Sequence, residues 1–320
     1  MTLTSAHFTM LHEERAIAEA IIQRRGYCTL THPEDLRDLG FSKVQARTAP
    51  VLAIPLWNVH GQQTGWQIRP DHPRQFTDGK LGKYELPKGA HLILDVHPSV
   101  QPLLGDPHAP LWITEGIPKG DALTSQGVCT IALQGVWGFK GTNEHGGKVI
   151  LADWQHVALN GREVVVVFDS DLATKPGVHA ALKALWAFLR ARHARPVRVQ
   201  WPEAFQREKW GVDDFFAQGH SLDELRAMLP PRGPLPLSPA QRNGPHAPGG
   251  APPEPPLPYS DYTNACAFVR DHGQDVRYCP PWNVWLVWTG THWQRDLSGA
   301  VMRLAKQTVK RLARQAEHPR

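Results

Sequence analysis

Short apolar runs of strand length alternate with helical patterns through the middle of the chain. The strand-like runs are LWIT (111–114), VCTIAL (128–133), EVVVVFD (163–169) and VRVQW (197–201). The segments with helical patterns are PKGDALTSQG (118–127), VILADWQHVAL (149–159) and PGVHAALKALWAFLRARHA (176–194). Strands that are apolar throughout need cover on both faces, and strand–helix alternation is typical of parallel pairing. The pattern therefore predicts an α/β fold, with a parallel sheet flanked by helices.

The region before this core has a different pattern. An apolar face at helical spacing predicts one helix over 9–25, ending at Gly26. Two strands (51–57 and 65–70) should form a β-hairpin, and HLILDV (91–96) should form a further strand. After the core, a helix capped by Ser221 should close the domain.

Proline divides the chain. Twelve of its 29 prolines lie within residues 230–258, which predicts a semi-extended linker because proline lacks a backbone donor and has a fixed φ. Beyond it, DYTNACAFVRDHG predicts a helix. RYCPPWNVWLVWTGTHWQRD predicts an aromatic β-hairpin that turns near Thr289 and Gly290, and SGAVMRLAKQTVKRLARQAE predicts a basic amphipathic helix. Together these segments should form a small α+β module.

The net charge of +5 is unevenly distributed. Residues 1–229 carry 24 Lys and Arg against 24 Asp and Glu, whereas residues 259–320 carry nine against five. The excess positive charge, a mild nucleic-acid signal, therefore lies in the last module. Four widely spaced cysteines without a CxxC pair argue against disulfides and zinc and favour a reducing cytoplasm. Neither an export signal nor a membrane-length apolar run occurs, so no membrane partner is expected.

Acidic residues follow two of the predicted strands. Glu115 ends the first, and Asp169 and Asp171 follow the strongly apolar third. Ligands of parallel sheets collect beyond the carboxyl ends of the strands, and residues two apart in extended backbone point the same way. Carboxylates grouped in this way suit Mg²⁺, which can assist phosphoryl transfer. Solvated loop acids are the alternative that this pattern leaves open.

The combination of TEG, KGDAL and VVVVFDSD in a β-α-β-α-β-α-β order resembles the TOPRIM domain of bacterial primases, topoisomerases and some nucleases. The resemblance implies that Glu115 acts as the general acid/base and contributes to the metal site. It also implies that Asp169 and Asp171 bind Mg²⁺, for which Mn²⁺ could substitute. Asp121 matches an aspartate often present in the helix after the glutamate, a supporting acid.

A narrower resemblance covers about residues 40–229. ITEGIPKGDAL, IALQGVWGFK, VVVVFDSDLATKPGVHAALKAL and KWGVDDFF resemble the TOPRIM-like domain of phage and plasmid replication proteins, and the segment after the linker resembles the start of their helicase half. The sequence ends at Arg320 without a GxxxxGK[ST] loop. Truncation of a longer gene, or a replicative helicase on a separate chain, would each explain this. The implied organisation is a lead-in (1–105), a TOPRIM-like catalytic domain (106–229), a linker (230–258) and the small module (259–320).

Further charged residues are candidates for the same site. Asp213 and Asp214 could add carboxylates to the metal, with helix capping or a loop role as the alternative. Lys119, Lys140 and Lys209 could bind the phosphates of a nucleotide, although a surface lysine without a specific role is the simpler interpretation.

The last module offers candidates for binding DNA. Its tryptophans could stack on single-stranded bases, or several of them could form the core of the module: Trp282, Trp285, Trp288 and Trp293. Four cations of the basic helix could bind phosphates, unless its polar face is merely solvated: Arg303, Lys306, Lys310 and Arg311.

Three functions remain open at this point. The first is a primase, a Mg²⁺-dependent nucleotidyltransferase that uses a single-stranded DNA template and nucleoside triphosphates. The second is a Mg²⁺-dependent nuclease built on the same acids, because the fold alone does not determine the reaction. The third is a non-catalytic subunit that binds DNA or loads a helicase.

Overall fold

The computed structural model describes residues 2–76, 79, 81–142, 146–170, 176–206, 209–230, 261–279 and 284–317. The chain divides into two compact units, Met1–Arg232 and Gly233–Arg320. The segment predicted as a linker (230–258) lies, except for Pro230, outside the described residues. No helix of the described part of the chain is long and apolar enough to cross a membrane.

The first unit contains nine strands and nine α-helices among its described residues. The strands are β1 (Cys28–Leu30), β2 (Val51–Trp57), β3 (Gln63–Pro70), β4 (Leu111–Glu115), β5 (Cys129–Leu133), β6 (Lys140–Thr142), β7 (Lys148–Ile150), β8 (Glu163–Val167) and β9 (Arg195–Arg198). The helices are α1 (Ser5–His12), α2 (Glu19–Arg25), α3 (Pro33–Asp38), α4 (Lys43–Ala46), α5 (Ile117–Ser125), α6 (Pro176–Ala191), α7 (Glu203–Gln206), α8 (Val212–Ala217) and α9 (Leu222–Ala227).

The central sheet is parallel, as the alternation of strands and helices predicts. Its order is β5-β4-β8-β9, and every neighbouring pair is parallel. Alternate side chains enter two different cores: Trp112 and Val165 lie in one, and Ile113 and Val166 lie in the other. Because both faces are covered, the apolar character of the strands is continuous, and the predicted α/β class is confirmed.

An antiparallel sheet precedes the parallel one. Strands β2 and β3 form the predicted hairpin, and β1, which the sequence analysis did not predict, pairs with the other edge of β2. The Ser221 hydroxyl accepts from the backbone N–H of Glu224 and caps α9, as predicted.

Three local predictions were wrong. The helix expected over 9–25 is two helices, α1 and α2, separated by a bend at Ala16, where φ is 50°. Residues 149–159 form the end of β7 and a 3-10 helix (Ala152–His156) instead of an α-helix. Residues 91–96 make only an isolated antiparallel bridge between Asp95 and Ala132. In each case tertiary contacts override the local pattern.

The second unit is a small α+β module. It contains α10 (Asp261–His272), α11 (Ala300–Glu317) and an antiparallel sheet of β10 (Val276–Cys279), β11 (Val284–Trp288) and β12 (Trp293–Arg295). The predicted turn after Trp288 is present, and both predicted helices are present. The predicted hairpin is extended by β10, which makes the sheet three-stranded.

Candidate active site at the carboxyl edge of the parallel sheet

Two of the predicted acids lie at the same edge of the parallel sheet. Strands β4 and β8 are hydrogen-bonded neighbours, with Thr114 opposite Val167. Glu115 is the last residue of β4 and is half-buried, whereas Asp169 follows β8 by two residues and is only 7% exposed. The topology therefore brings Glu115 and Asp169 to neighbouring strand ends, where ligands of parallel sheets bind.

Hydrogen bonds fix the backbone around Asp169. The indole Nε1 of Trp201 donates to the carbonyl oxygen of Phe168 at 2.8 Å. The backbone N–H of Ser170 donates to the carbonyl oxygen of Trp210 at 2.9 Å, and the N–H of Trp210 donates to Ser170 Oγ at 2.9 Å. These reciprocal bonds hold the KWGVDDFF segment beside the end of β8, so Lys209 and Asp213 reach the site from about 40 residues further along the chain.

Two lysines neutralise Asp169. Lys119, in the first turn of α5, forms an ion pair with its Oδ1, and the Lys209 ammonium lies 2.9 Å from its Oδ2. Burial alone would raise the pKa of Asp169, but the two ammonium groups outweigh it and hold the pKa below its usual value. The carboxylate is therefore ionised at neutral pH. Lys209 is 59% exposed, so this partner can leave at little cost.

Asp213 contributes a second buried carboxylate. It is fully buried in α8, and its Oδ2 accepts from Arg15 Nη1 at 2.5 Å. Its Oδ1 has no hydrogen-bond partner among the described residues. A Cβ on Gly211 would lie 2.4 Å from this oxygen and 2.7 Å from Lys119 Cε. Glycine at 211 therefore lets the unsatisfied oxygen lie close to the lysine that binds Asp169.

Asp214 occupies a different position. It is exposed, and its Oδ2 accepts from the backbone N–H of Gly211 at 2.7 Å at the start of α8. This is the helix-capping contact that the sequence analysis kept as the alternative to a metal-binding role.

Asp121 is also held away from solvent, by a partner that the sequence analysis missed. It is fully buried, and Arg25 of α2 donates to both of its carboxylate oxygens. The Tyr27 hydroxyl donates to its Oδ2 at 2.7 Å. The predicted supporting acid thus has its carboxylate fully engaged in a structural ion pair.

The same arginine binds a further carboxylate. Arg25 Nη1 lies 2.7 Å from Oδ1 of Asp95, and the backbone N–H of Trp57 donates to the other oxygen of Asp95 at 3.0 Å. Burial raises the pKa of Asp95 to about 6 although Arg25 opposes the shift. Arg25, Asp95 and Asp121, which we name the arginine cluster, lie 0–1% exposed and connect α2 with α5.

A cleft opens beside Glu115. It has a volume of about 720 Å³, and residues with aromatic, amide and cationic side chains line it, including Gln134, Trp137, Lys140 and Lys148. Trp137 is 45% exposed, and the ammonium of Lys140 lies 5.3 Å from the centre of its indole ring. Lys148 donates to Thr142 Oγ1 at 2.7 Å. Of this group, the sequence analysis selected only Lys140.

The donor set at this edge fits Mg²⁺. Asp169 supplies an ionised carboxylate, and the unsatisfied Oδ1 of Asp213 is an oxygen that lacks a partner. Mg²⁺ commonly uses one or two protein carboxylates and completes its shell with water and substrate phosphates. Over the described ranges, no three His, Cys, Asp or Glu side chains converge as a metal site. Asp171, the second aspartate of the predicted pair, lies outside the described residues.

The predicted DNA-binding residues of the second unit do not form one surface. Trp285 packs edge-on against Phe268 of α10, with ring centres 6.3 Å apart, whereas Trp288 packs against Trp293 at 5.3 Å. Trp282 lies outside the described residues. In the basic helix α11, Arg311 forms an ion pair with Asp271 at 2.6 Å, and Arg303 donates to the Ser298 carbonyl oxygen at its own N-terminus.

The remaining two cations of α11, Lys306 and Lys310, are exposed. Half of the predicted basic set is thus engaged within the unit.

Comparisons with known proteins match both units. A family model described as a domain of unknown function (DUF3854) matches residues 101–221, and one described as D5 N terminal like matches residues 265–319. The second match confirms the resemblance predicted for the segment after the linker. An uncharacterized protein of Picosynechococcus sp. is 29% identical over 142 residues. These residues make up 42% of this chain, which spans only 14% of that relative.

Several solved primases have a similar arrangement of elements. The zinc-binding and RNA polymerase domains of the Aquifex aeolicus primase match with a TM-score of 0.47 and 13% identity, covering 70% of this chain and 55% of that one. The E. coli primase catalytic core matches with a TM-score of 0.45 and 16% identity, covering 69% of this chain and 71% of that one. The primase fragment of the bacteriophage T7 primase–helicase protein matches with a TM-score of 0.36 and 12% identity, covering 71% of this chain and 72% of that one. The first unit has an α/β fold, with Glu115 and Asp169 at the carboxyl edge of its parallel sheet.

Proposed function

We propose that the chain is a replication protein of a phage or plasmid, and that its first unit performs primase-type nucleotidyl transfer on single-stranded DNA. One observation carries the proposal. Glu115 and Asp169 lie at the ends of adjacent parallel strands, and Asp213, with its unsatisfied oxygen, is held beside the same lysine as Asp169. The primases among the structural neighbours and the D5 N-terminal-like match agree with a role in replication.

Asp169 is the residue that would hold Mg²⁺, with Asp171 as its partner by resemblance and Asp213 as a further oxygen donor. The bound ion would neutralise triphosphate charge and orient the reacting groups. Lys119 and Lys209 balance the Asp169 charge in the metal-free protein. When a nucleotide binds, Lys209 would turn from the carboxylate to the phosphates, since an ion pair with an exposed lysine costs little to break.

Glu115 would act as the general base. In the proposed reaction it accepts the proton of the attacking 3′-hydroxyl. The hydroxyl oxygen forms a bond to the α-phosphorus of the incoming nucleotide, and the bond to pyrophosphate breaks. The cleft beside Glu115 would hold the nucleotide, with its base against Trp137 and its phosphates near Lys140 and Lys148.

A primer-synthesis assay tests this proposal. Wild-type protein, with Mg²⁺, nucleoside triphosphates and a single-stranded DNA template, should form short products, and Asp169→Asn should lose at least 100-fold of the activity. Lys88→Met, at an exposed position outside the site, is the control that should keep full activity.

Two other results would contradict the proposal. Template degradation that requires Asp169 would identify a nuclease. DNA binding with no metal-dependent reaction in any variant would identify a non-catalytic subunit.

A further inference from the structure

The sheet of the second unit has two unlike faces. Its register places Tyr278 opposite Trp285, and Val276 opposite Val287, so these four side chains share one face. Phe268 of α10 packs on Trp285, and Val276 is only 5% exposed. This face is the inner one, because α10 packs on it, although the helices cover it only in part: Trp285 and Tyr278 remain 41% and 42% exposed.

The opposite face carries aromatic and basic side chains. Arg277 and Arg295 both lie opposite Leu286, one on each side, so the three form a row across the sheet. Trp288 lies opposite Trp293 on the same face. We call Arg277, Trp288, Trp293 and Arg295 the aromatic–arginine face.

The face is exposed, and its side chains contact one another. Trp288 and Trp293 are 39% and 37% exposed although their ring centres are 5.3 Å apart. The Arg277 guanidinium lies 5.0 Å from the centre of the Trp293 ring, and its Nη1 donates to the carbonyl oxygens of Gly273 and Val276, which holds the guanidinium in place. Tryptophans exposed to this degree on a pleated sheet, with two arginines beside them, contribute little to a core. They are suited to a ligand that offers flat rings and negative charge.

We infer that the aromatic–arginine face is a binding site for single-stranded nucleic acid. Bases would stack on the two indoles, and the arginines would bind the adjacent phosphates. Charge favours this occupant over an apolar protein surface, because residues 259–320 carry nine cations against five acids. The inference does not depend on catalysis by the first unit.

The residues differ from those that composition suggested. Trp285 lies on the inner face, and Arg311 is paired with Asp271. Arg277 and Arg295, which the sequence analysis did not select, lie on the same face as the selected Trp288 and Trp293, because β10 and β12 both pair with β11. The site is therefore a sheet surface and not the basic helix.

Fluorescence anisotropy with a labelled 20-nucleotide oligothymidylate tests the inference. The full chain carries Asp169→Asn and is measured without Mg²⁺ or nucleotides, so that the result is independent of nucleotidyl transfer. Trp293→Ala should weaken binding about tenfold through the loss of a stacking surface, and Arg277→Gln should weaken it about tenfold through the loss of a phosphate contact. Arg277→Gln should also reduce the slope of log affinity against log salt by about 0.7.

Control variants keep the test specific. Trp293→Phe retains an aromatic ring on which a base can stack. It should therefore keep most of the wild-type affinity that Trp293→Ala loses. Lys306→Gln and Lys310→Gln, on α11, should weaken binding less than threefold. An oligouridylate of equal length distinguishes RNA from DNA, and binding of either strand supports the site.

Cross-linking locates the contact directly. Ultraviolet cross-linking of the oligothymidylate followed by mass spectrometry should modify peptides that contain Trp288 or Trp293. Cross-links confined to residues 1–230, or unchanged affinity in both Trp293→Ala and Arg277→Gln, would overturn the inference. Self-association of the chain that these two substitutions abolish, with DNA affinity unchanged, would identify the face as a protein contact instead.

Discussion

Two clusters of the first unit combine aspartates with cations, and they differ in how completely the charges are satisfied. In the arginine cluster, Arg25 donates to both Asp95 and Asp121, and all three side chains are buried. At the carboxyl edge, Asp169 is held by two lysines, one of which is 59% exposed. Near it, Asp213 has a buried oxygen without a hydrogen-bond partner in the part of the chain that the structure describes. The first cluster is closed to ligands, whereas the second has a replaceable cation and an unused oxygen.

The completeness of charge pairing distinguishes structural acids from functional acids better than closeness to the site along the sequence does. Asp121 lies two residues from Lys119 on the same helix, yet its carboxylate is oriented to Arg25 and away from any role as a ligand. Complete pairing in a buried environment holds elements together, and incomplete pairing leaves capacity for a metal or a phosphate.

The largest expected effect comes from breaking the arginine cluster. Arg25→Met leaves two carboxylates buried without a cation, so the free energy of unfolding should fall by about 3–5 kcal/mol. Urea denaturation measures this, with the exposed neighbour Arg24→Met as the control that should change stability by less than about 0.5 kcal/mol. A loss below about 1 kcal/mol for Arg25→Met would show that the cluster is not structural.

An intermediate effect is expected at the glycine between Lys119 and Asp213. In Gly211→Ala the new Cβ would meet Asp213 Oδ1 and Lys119 Cε at less than contact distance, so the variant should lose about 1–3 kcal/mol of stability. Gly177→Ala is the matched control, because Gly177 lies in α6 and, among the described residues outside its own stretch of helix, no atom comes within 4 Å of its Cβ position. That variant should be neutral or slightly stabilised. Equal stability of the two variants in thermal denaturation would contradict the close packing at 211.

The smallest effect on stability is expected from Lys209→Met. The ion pair with Asp169 is largely exposed on the lysine side, so stability should change by less than about 1 kcal/mol. Removal of a cation that competes for the Asp169 carboxylate should tighten Mn²⁺ binding several-fold, as measured by calorimetry. Weaker Mn²⁺ binding in this variant, with Lys88→Met unchanged, would show that Lys209 assists the metal instead of competing with it.

The parts of the fold that the sequence predicted are those with strong local signals. The apolar runs of β4, β5 and β8 permit only buried strands, and their order with α5 and α6 determines a parallel sheet. The break between α1 and α2 was missed because it depends on tertiary contacts. Arg15, in this break, binds Asp213 from 198 positions away in the sequence. The 3-10 helix at Ala152–His156 was missed because the apolar residues on either side of Trp154 are spaced as in an α-helix.

At the candidate site, too, local signals identified some residues, and contacts between distant segments had to identify the rest. The sequence analysis could select Glu115 and Asp169 because each follows a predicted parallel strand. The strand order alone then brings them to one edge of the sheet. The partners of Asp121 and Asp95 lie 96 and 70 residues away, at Arg25, and no local pattern indicates those pairs. The aromatic–arginine face likewise depends on the register of three strands, which fixes which tryptophans share a face with Arg277.

The central claim is that the two clusters have different roles, and Mn²⁺ binding followed by electron paramagnetic resonance tests it most directly. The wild-type chain should bind Mn²⁺, Asp169→Asn should weaken binding at least tenfold, and Asp121→Asn should bind within about twofold of wild type while losing stability. Equal binding by wild type and Asp169→Asn, or an equal loss of binding in Asp121→Asn, would contradict the assignment of Asp169 to the metal and of Asp121 to the fold.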